Sequence, residues 1–382
     1  MKRFILIAVS IMLGCVTTWA QTEITTYQPG ITSDGITYFL PNTCVRVVVT
    51  TTKTHYTPGE FAEYAARYLK LNNVPLTAYD EWKIDDIQLY SYGIADNKKA
   101  YSIKFKQKTS APLVSLANDG RLLAINAKVE DNSMQNIPTA SVTPGKLNTL
   151  NGADFKTEEI LSAGSKAKMA ELTANEIYDI RENRGLLTKG QADFMPKDGE
   201  QLKLMLNNLN TQEEGLLQLF RGTTSTETHV FTFDVTPTGE LAQQPLFNFS
   251  RYLGMVDADD PAGNTYYISV RDLKSLPQTA QPTDAKAKKE VEDLRYTIPG
   301  RAEVKISTAS DASCASRTFS MAQFGRTEHL GGELFNKKFS TRIQLSPITG
   351  GIVKIEAEKP EWGGGGGKSP RKANIIEWFK IF

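Results

Sequence analysis

Ile36-Thr-Tyr-Phe-Leu40 followed by Val45-Arg-Val-Val-Val49 decides the fold class. Both runs are short and dominated by β-branched and aromatic residues, the composition of half-buried or buried strands. Working outward, Thr57-Pro58-Gly59-Glu60 carries a helix start. Thr57 is placed to cap, Pro58 suits the first helical position, and Glu60 completes a capping box. Apolar or aromatic residues at 61, 64, 65, 68 and 69 then follow one buried helix face, so Tyr64 and Tyr68 read as core. Strands resume at Trp82–Tyr92 and Ala100–Lys106. A hairpin joins Leu113–Leu116 to Leu122–Ile125 through Asn118-Asp119-Gly120, since glycine accepts positive φ.

Farther along, residues 155–221 change to helical periodicity. Met169, Leu172, Ile177 and Ile180 lie on one side, and Asp198/Gln201 and Thr211/Glu214 form two more capping boxes ahead of leucines at core spacing. After Gly222 strands return at 229–235, 246–252, 266–270, 303–307, 318–324, 341–345 and 352–356. The charged stretch Asp284–Asp293 reads as a solvated helix. The fold class is therefore α+β: β-rich N- and C-terminal parts with antiparallel sheets and a helical segment between. The expected divisions are a signal at 1–20, a β-rich part with one helix at 21–127, a linker or long loop at 128–150, helices at 151–222, a second β-rich part at 223–358, and a glycine-rich tail at 359–382. The two β-rich parts also suggest duplication. Gly93 to Gly120 and Gly325 to Gly350 enclose similar strand–turn–strand patterns, so 36–127 and 302–357 are expected to form small antiparallel sheets of the same strand order, with the helix at 58–70 only in the first.

Lys2 and Arg3, the apolar run Phe4–Gly14 and small residues at Thr18 and Ala20 have the order of parts of a secretory signal cleaved between Ala20 and Gln21. Eleven apolar residues are too few for a membrane span, and no later stretch approaches the required length, so no transmembrane span is expected after signal removal. Lipidation of Cys15 is the alternative; Leu13 and Met12 fit it poorly. The formal charge of +1 loses Lys2 and Arg3 with the signal, leaving no basic excess to drive nucleic-acid binding. Beyond Cys15 only Cys44 and Cys314 remain. They are no disulfide framework; two small buried residues is the favoured reading, and a Cys44–Cys314 bond between neighbouring strands is the alternative.

Chemistry-bearing motifs were weighed in turn. Gly367-Lys368-Ser369 resembles the end of a phosphate loop, but Trp362 stands where its first glycine belongs. His55, His229 and His329 are isolated in sequence, no serine stands in a nucleophile elbow, and neither remaining cysteine has a nucleophile's context. No catalytic residue, cofactor or metal is assigned. A weak calcium candidate is Asp257, Asp259, Asp260 and Asn264, whose oxygens crowd near Gly263. Their spacing departs from the EF-hand loop, and a hairpin turn is the favoured reading.

Gly35-Ile-Thr-Tyr-Phe-Leu-Pro41, Val45–Val49, Tyr56-Thr-Pro-Gly-Glu-Phe61 and Val114–Gly120 continuing through Leu123–Asn126 together resemble an exported family of Bacteroidetes, domain of unknown function 4831. The likeness covers most of 30–357. It implies an envelope or exterior address and brings no catalytic residues. The segment after Lys359, with five glycines and then Lys368–Lys372 and Ile375–Phe379, does not resemble the family and reads as an appended or frame-shifted tail. The expected function is a non-enzymatic envelope or secreted interaction or scaffold module, periplasmic, outer-membrane-associated or released, whose partner is a protein or glycan of the envelope. A glycan-binding protein is one alternative, marked by an exposed row of Tyr90, Tyr92, Tyr266 or Tyr267. A hydrolase with a dispersed site is another, marked by a deep pocket holding two carboxylates and a histidine. Intact-mass spectrometry of protein from its native host is expected to give a chain starting at Gln21; lipid on Cys15 would show the tethered form instead.

Overall fold

Strands β1 (Ile31–Thr32) and β2 (Gly35–Thr57) begin the first sheet of this computed structural model, which describes residues 31–32, 35–103, 113–145, 150–257, 260–277, 294–330 and 340–358. The 23-residue β2 is paired on both edges. Strand β3 (Tyr79–Ile103) follows one edge; β1 and, after the helices, β7 (Thr223–Val235) take the other. The intervening strands are β4 (Val114–Leu116), β5 (Leu122–Ile125) and β6 (Ser141–Pro144). β6 falls in the stretch expected to be a linker, and adds to β7 as an edge strand. A second sheet has the order β12-β11-β10-β8-β9, from β8 (Leu241–Ser250), β9 (Gly254–Val256), β10 (Asn264–Asp272), β11 (Leu294–Thr308) and β12 (Ser313–Leu330). A third sheet has the order β14-β13-β5-β4, with β13 (Ser340–Leu345) and β14 (Ile352–Glu358). All the strand ladders are antiparallel, so the α+β reading with a helical segment between sheets is the architecture found.

The first two sheets face each other. Val45, Val47 and Val49, every second residue of β2, enter a core with Phe247, Ile268, Val304, Ile306 and Met321 of the second sheet. Tyr38 and Leu40 enter another core with Leu294, Leu330 and the third sheet's Leu122, Ile125 and Ile343. Burial pushes the Tyr38 phenol above its ordinary pKa, and its hydroxyl donates to Arg295 O at 3.1 Å. The helices form a third core. A 3-10 turn (Ala62–Tyr64) and α1 (Ala65–Leu69) lie between β2 and β3; α2 (Glu158–Leu161), α3 (Lys166–Lys189) and α4 (Gly199–Arg221) lie between β6 and β7. Phe61, Ala65, Ile177, Leu216 and Phe220 meet there.

Several expected helix ends moved. Thr57 is the last residue of β2 and no side chain caps the 3-10 turn or α1. Phe61 N–H instead donates to Leu219 O of α4 at 2.6 Å, and Glu60 pairs with Lys156 ahead of α2, so tertiary contacts replace the local box. Asp198 does cap α4, accepting from Gln201 N–H at 2.7 Å. Thr211 caps nothing: the helix runs through it, and its hydroxyl bonds Asn207 O. Glu213 explains why no break is needed there. Burial raises its pKa, but hydrogen bonds from Arg181 and Arg184 of α3 outweigh that and hold it below the ordinary value. The strand expected at 82–92 and the described part of the one expected at 100–106 are continuous as β3, which ends at Ile103; residues 104–106 lie outside the described residues. The charged stretch 284–293, the signal and the tail lie outside the described residues.

The expected duplication, two small sheets of the same strand order, is not found, but the hairpins correspond in another way. The long hairpin β2–β3 and the long hairpin β11–β12 share one ladder defect. Two steps along β2, Phe39 to Pro41, oppose five along β3, Ala95 to Ala100. Two steps along β11, Ile298 to Gly300, oppose five along β12, Met321 to Arg326. Each long hairpin is followed by a short one with a matching bulge, at Ser115/Leu116 in β4–β5 and at Gln344/Leu345 in β13–β14. Gly120 and Gly350 both have positive φ, 85° and 70°, and their carbonyls accept from Phe39 N–H at 2.9 Å and Thr297 N–H at 3.0 Å. The helix between the paired long strands occurs only in the first copy; Thr308 and Ser313 are joined by a tight turn. Neither copy forms its own sheet, however. The long hairpins sit in the first and second sheets, and the short ones merge in the third, with Ile343 opposite Ile125. Isolated two-stranded hairpins are marginal, and merging gives four strands with a buried face. The ladder defect also pairs Ala95 with Met321, so Gly93 and Gly325 are not counterparts.

One buried side chain ties the three sheets. Thr43 of β2 is fully buried. Its hydroxyl accepts from Ala322 N–H at 3.0 Å and donates to Ile348 O at 3.1 Å, while Gln323 bonds the Thr43 backbone at both ends, at 3.0 and 2.8 Å. Ala322 and Gln323 lie inside the β12 ladder defect, where pairing with β11 is suspended. Arg121 adds a second tie, holding Asp119 at 2.6 Å, Asp131, and Pro347 O of the other copy's turn. Thr43→Val, nearly isosteric, is expected to cost about 2–4 kcal/mol in urea unfolding by orphaning Ala322 N–H and Ile348 O, while Thr43→Ser costs about 1 kcal/mol or less.

Candidate functional site

A groove of about 780 Å³ lies between β11 and β14. Its floor is apolar: Ile298 and Pro299 from β11, Ile348 from the turn, and Ile352, Val353 and Ile355 from β14. The register fixes these positions. Thr297 N–H bonded to Gly350 O holds the closed end, and Gly351 lets the turn pass against Pro299 and Thr297, where a Cβ would lie only 3.2 Å from both. β14 ends the third sheet, so its outer edge carries no strand partner among the described residues. Val353 is 67% exposed on that edge. Hydroxyls of Ser91, Ser320, Ser346 and Thr349 surround the floor, with Lys354 and Glu356 at one side. Lys354 Nζ lies 2.8 Å from Glu356 Oε1. Thr297 is 1% exposed, and its Oγ1 has no hydrogen-bond partner. A buried hydroxyl left unpaired is costly, and this one lies in the groove wall.

The residues singled out in the sequence lie elsewhere. Asp257 and Asp260 flank a turn in which Asp260 N–H donates to Asp257 O at 3.0 Å. Asn248 Nδ2 donates to the carbonyls of both, at 3.2 and 2.9 Å, and Asp260 Oδ1 accepts from Ala262 N–H. Asn264 starts β10 opposite Phe249, and Asp259 lies outside the described residues. The expected hairpin turn is corrected: β9 and β10 lie on opposite edges of β8, so the segment is a braced connection that crosses β8. Ala20, Gln21 and Cys15 also lie outside the described residues. Cys44 and Cys314 are both free. Cys44 is buried with its thiol toward Val235 O, but Cys314 is exposed, which corrects the expectation of two buried residues. Burial of the thiol raises the Cys314 pKa, the opposite of nucleophile activation.

His55 sits beside Asp80, Nδ1 to Oδ1 2.5 Å, and with Lys53 this contact holds the Asp80 carboxyl below its ordinary pKa. His229 is packed on Trp82 at 4.7 Å between ring centroids. Among the described residues no three His, Cys, Asp or Glu side chains converge on a point that could hold a metal. The four tyrosines form no exposed row. Tyr92 lies buried under the Arg46 guanidinium at 5.2 Å, Tyr266 stacks on Phe247 in the first core, and Tyr90 and Tyr267 are half-buried. The groove lining has one carboxylate, Glu356, and no histidine. Nothing in composition or motif pointed to the groove.

A family model for a domain of unknown function, DUF4831, matches residues 34–353. The chain belongs to that family. The match runs from the start of β2 into β14 and ends at Val353. No curated protein and no solved structure matches.

Thr297→Val is expected to leave the free protein as stable as wild type or up to about 1 kcal/mol more stable in thermal and urea unfolding, because no hydrogen bond is lost.

Proposed function

We propose that this DUF4831 chain is an exported, non-enzymatic interaction module of the envelope or exterior, and that it works through the β14 edge and its groove. The observation that carries the reading is an apolar groove lying along a strand edge that has no strand partner among the described residues. Such an edge offers a row of backbone donors and acceptors, and proteins ordinarily guard or cover it. An extended segment adding to it gains ladder hydrogen bonds, and the adjoining pocket takes its alternate side chains. The leader Met1–Ala20 supports export, and a protein segment suits the edge better than a glycan, because the tyrosines offer no stacking platform. A photo-crosslinking residue at Val353, compared with one at the exposed edge valine Val142 of β6, tests this in native cells. A discrete protein adduct is expected from 353 and none from 142; equal yields would defeat the proposal.

A further inference from the structure

We infer that the segment received by the β14 edge is β14 of a second copy of this chain, paired antiparallel about a two-fold axis at Ile355. This rests on the reading of that edge as the binding surface, and goes further by naming its occupant.

The internal repeat states what the edge should receive. By register, Val114–Ile125 of β4–β5 corresponds to Ile343–Ile355 of β13–β14, so Ile125 is the counterpart of Ile355. The outer edge of β5 is filled by β13, antiparallel, with Ile343 opposite Ile125. The matching edge of β14 has no strand partner among the described residues, and by the repeat it calls for an antiparallel strand with a branched apolar residue opposite Ile355. A two-fold axis at Ile355 supplies one, the second copy's own Ile355.

Charge gives the second argument. The same axis sets Lys354 opposite the second copy's Glu356, and Glu356 opposite its Lys354. The pair already lies together on one face of the strand, 2.8 Å apart, so both ends can exchange partners across the axis. Directly opposed unlike charges stabilise antiparallel pairs and like charges oppose them. Val353, 67% exposed, would be shielded by the second copy's strand end. The contact is isologous, so it closes at a dimer with one continuous eight-stranded sheet instead of growing into a fibre.

Sedimentation of the full mature chain tests the inference. Wild type is expected to dimerise. Lys354→Glu alone opposes glutamates, and Glu356→Lys alone opposes lysines, so each should self-associate roughly tenfold or more weakly. Mixing the two single variants should restore a dimer, because every opposed pair is then unlike; the double swap should dimerise as well. Circular dichroism confirms that each variant is folded, and rescue on mixing separates lost pairing from lost structure. A monomeric wild type, or a dimer indifferent to the swaps, overturns the inference. If wild type is monomeric while Val353 still crosslinks to a different protein, self-pairing falls and the binding-edge reading stands. If position 353 gives no adduct at all, both fall.

Discussion

Thr43 is the constraint on which the sheets depend. A sandwich of two sheets needs only apolar faces, but this molecule adds a third sheet at one end, and the junction must satisfy backbone groups that no ladder reaches. The interruption in β12 frees Ala322 and Gln323 to bond Thr43 of β2, and the same hydroxyl reaches Ile348 in the turn of the third sheet. Because Thr43 is fully buried, each bond lies out of competition with water. The ladder defects are therefore functional parts of the junction, and their recurrence at the same place in both long hairpins follows from both having to make the same turn toward the third sheet.

Much of the fold was legible in sequence because it is local. Val45–Val49 alternates into the first core as a strand should, Asn118-Asp119-Gly120 turns as written, and Asp198 caps α4 through Gln201. What failed was local chemistry outbid by distant partners. Glu60 had a capping role available and took Lys156; Thr211 had a cap sequence and was carried through by the packing of α3 on α4. Ser141–Pro144 is polar and carries a proline, yet is an edge strand, because β7 offers an open ladder and the proline sits at the strand's last position.

The groove was not legible at all. Its walls come from residues 296–299 and 346–356, and what makes them a site is that β14 is the last strand of a tandem pair. Among the described residues, the first copy's short hairpin has a strand covering its edge and the second copy's has none. That is a property of position in the fold, which no single motif encodes. Conversely, the residues with the most suggestive chemistry are committed elsewhere: Arg46 and Asp234 to each other at 2.7 Å, His229 to the ring of Trp82, and the carbonyls of Asp257 and Asp260 to Asn248.

The pairing of β2 with β7 also sets the order of events as the chain emerges. Val45 lies opposite Val235, and Thr57 opposite Thr223, so the edge of the most apolar strand finds its ladder only after some 180 further residues have appeared. Hairpin β2–β3 can zip early, but one flank of Val45–Val49 then stays bare, an adhesive ribbon of the kind that sticks to other emerging chains. The helices α3 and α4 must be threaded through before relief arrives. A chain wired in this way gains from being shielded until residue 235 has emerged, which makes synthesis, rather than final stability, the hazardous stage of its life.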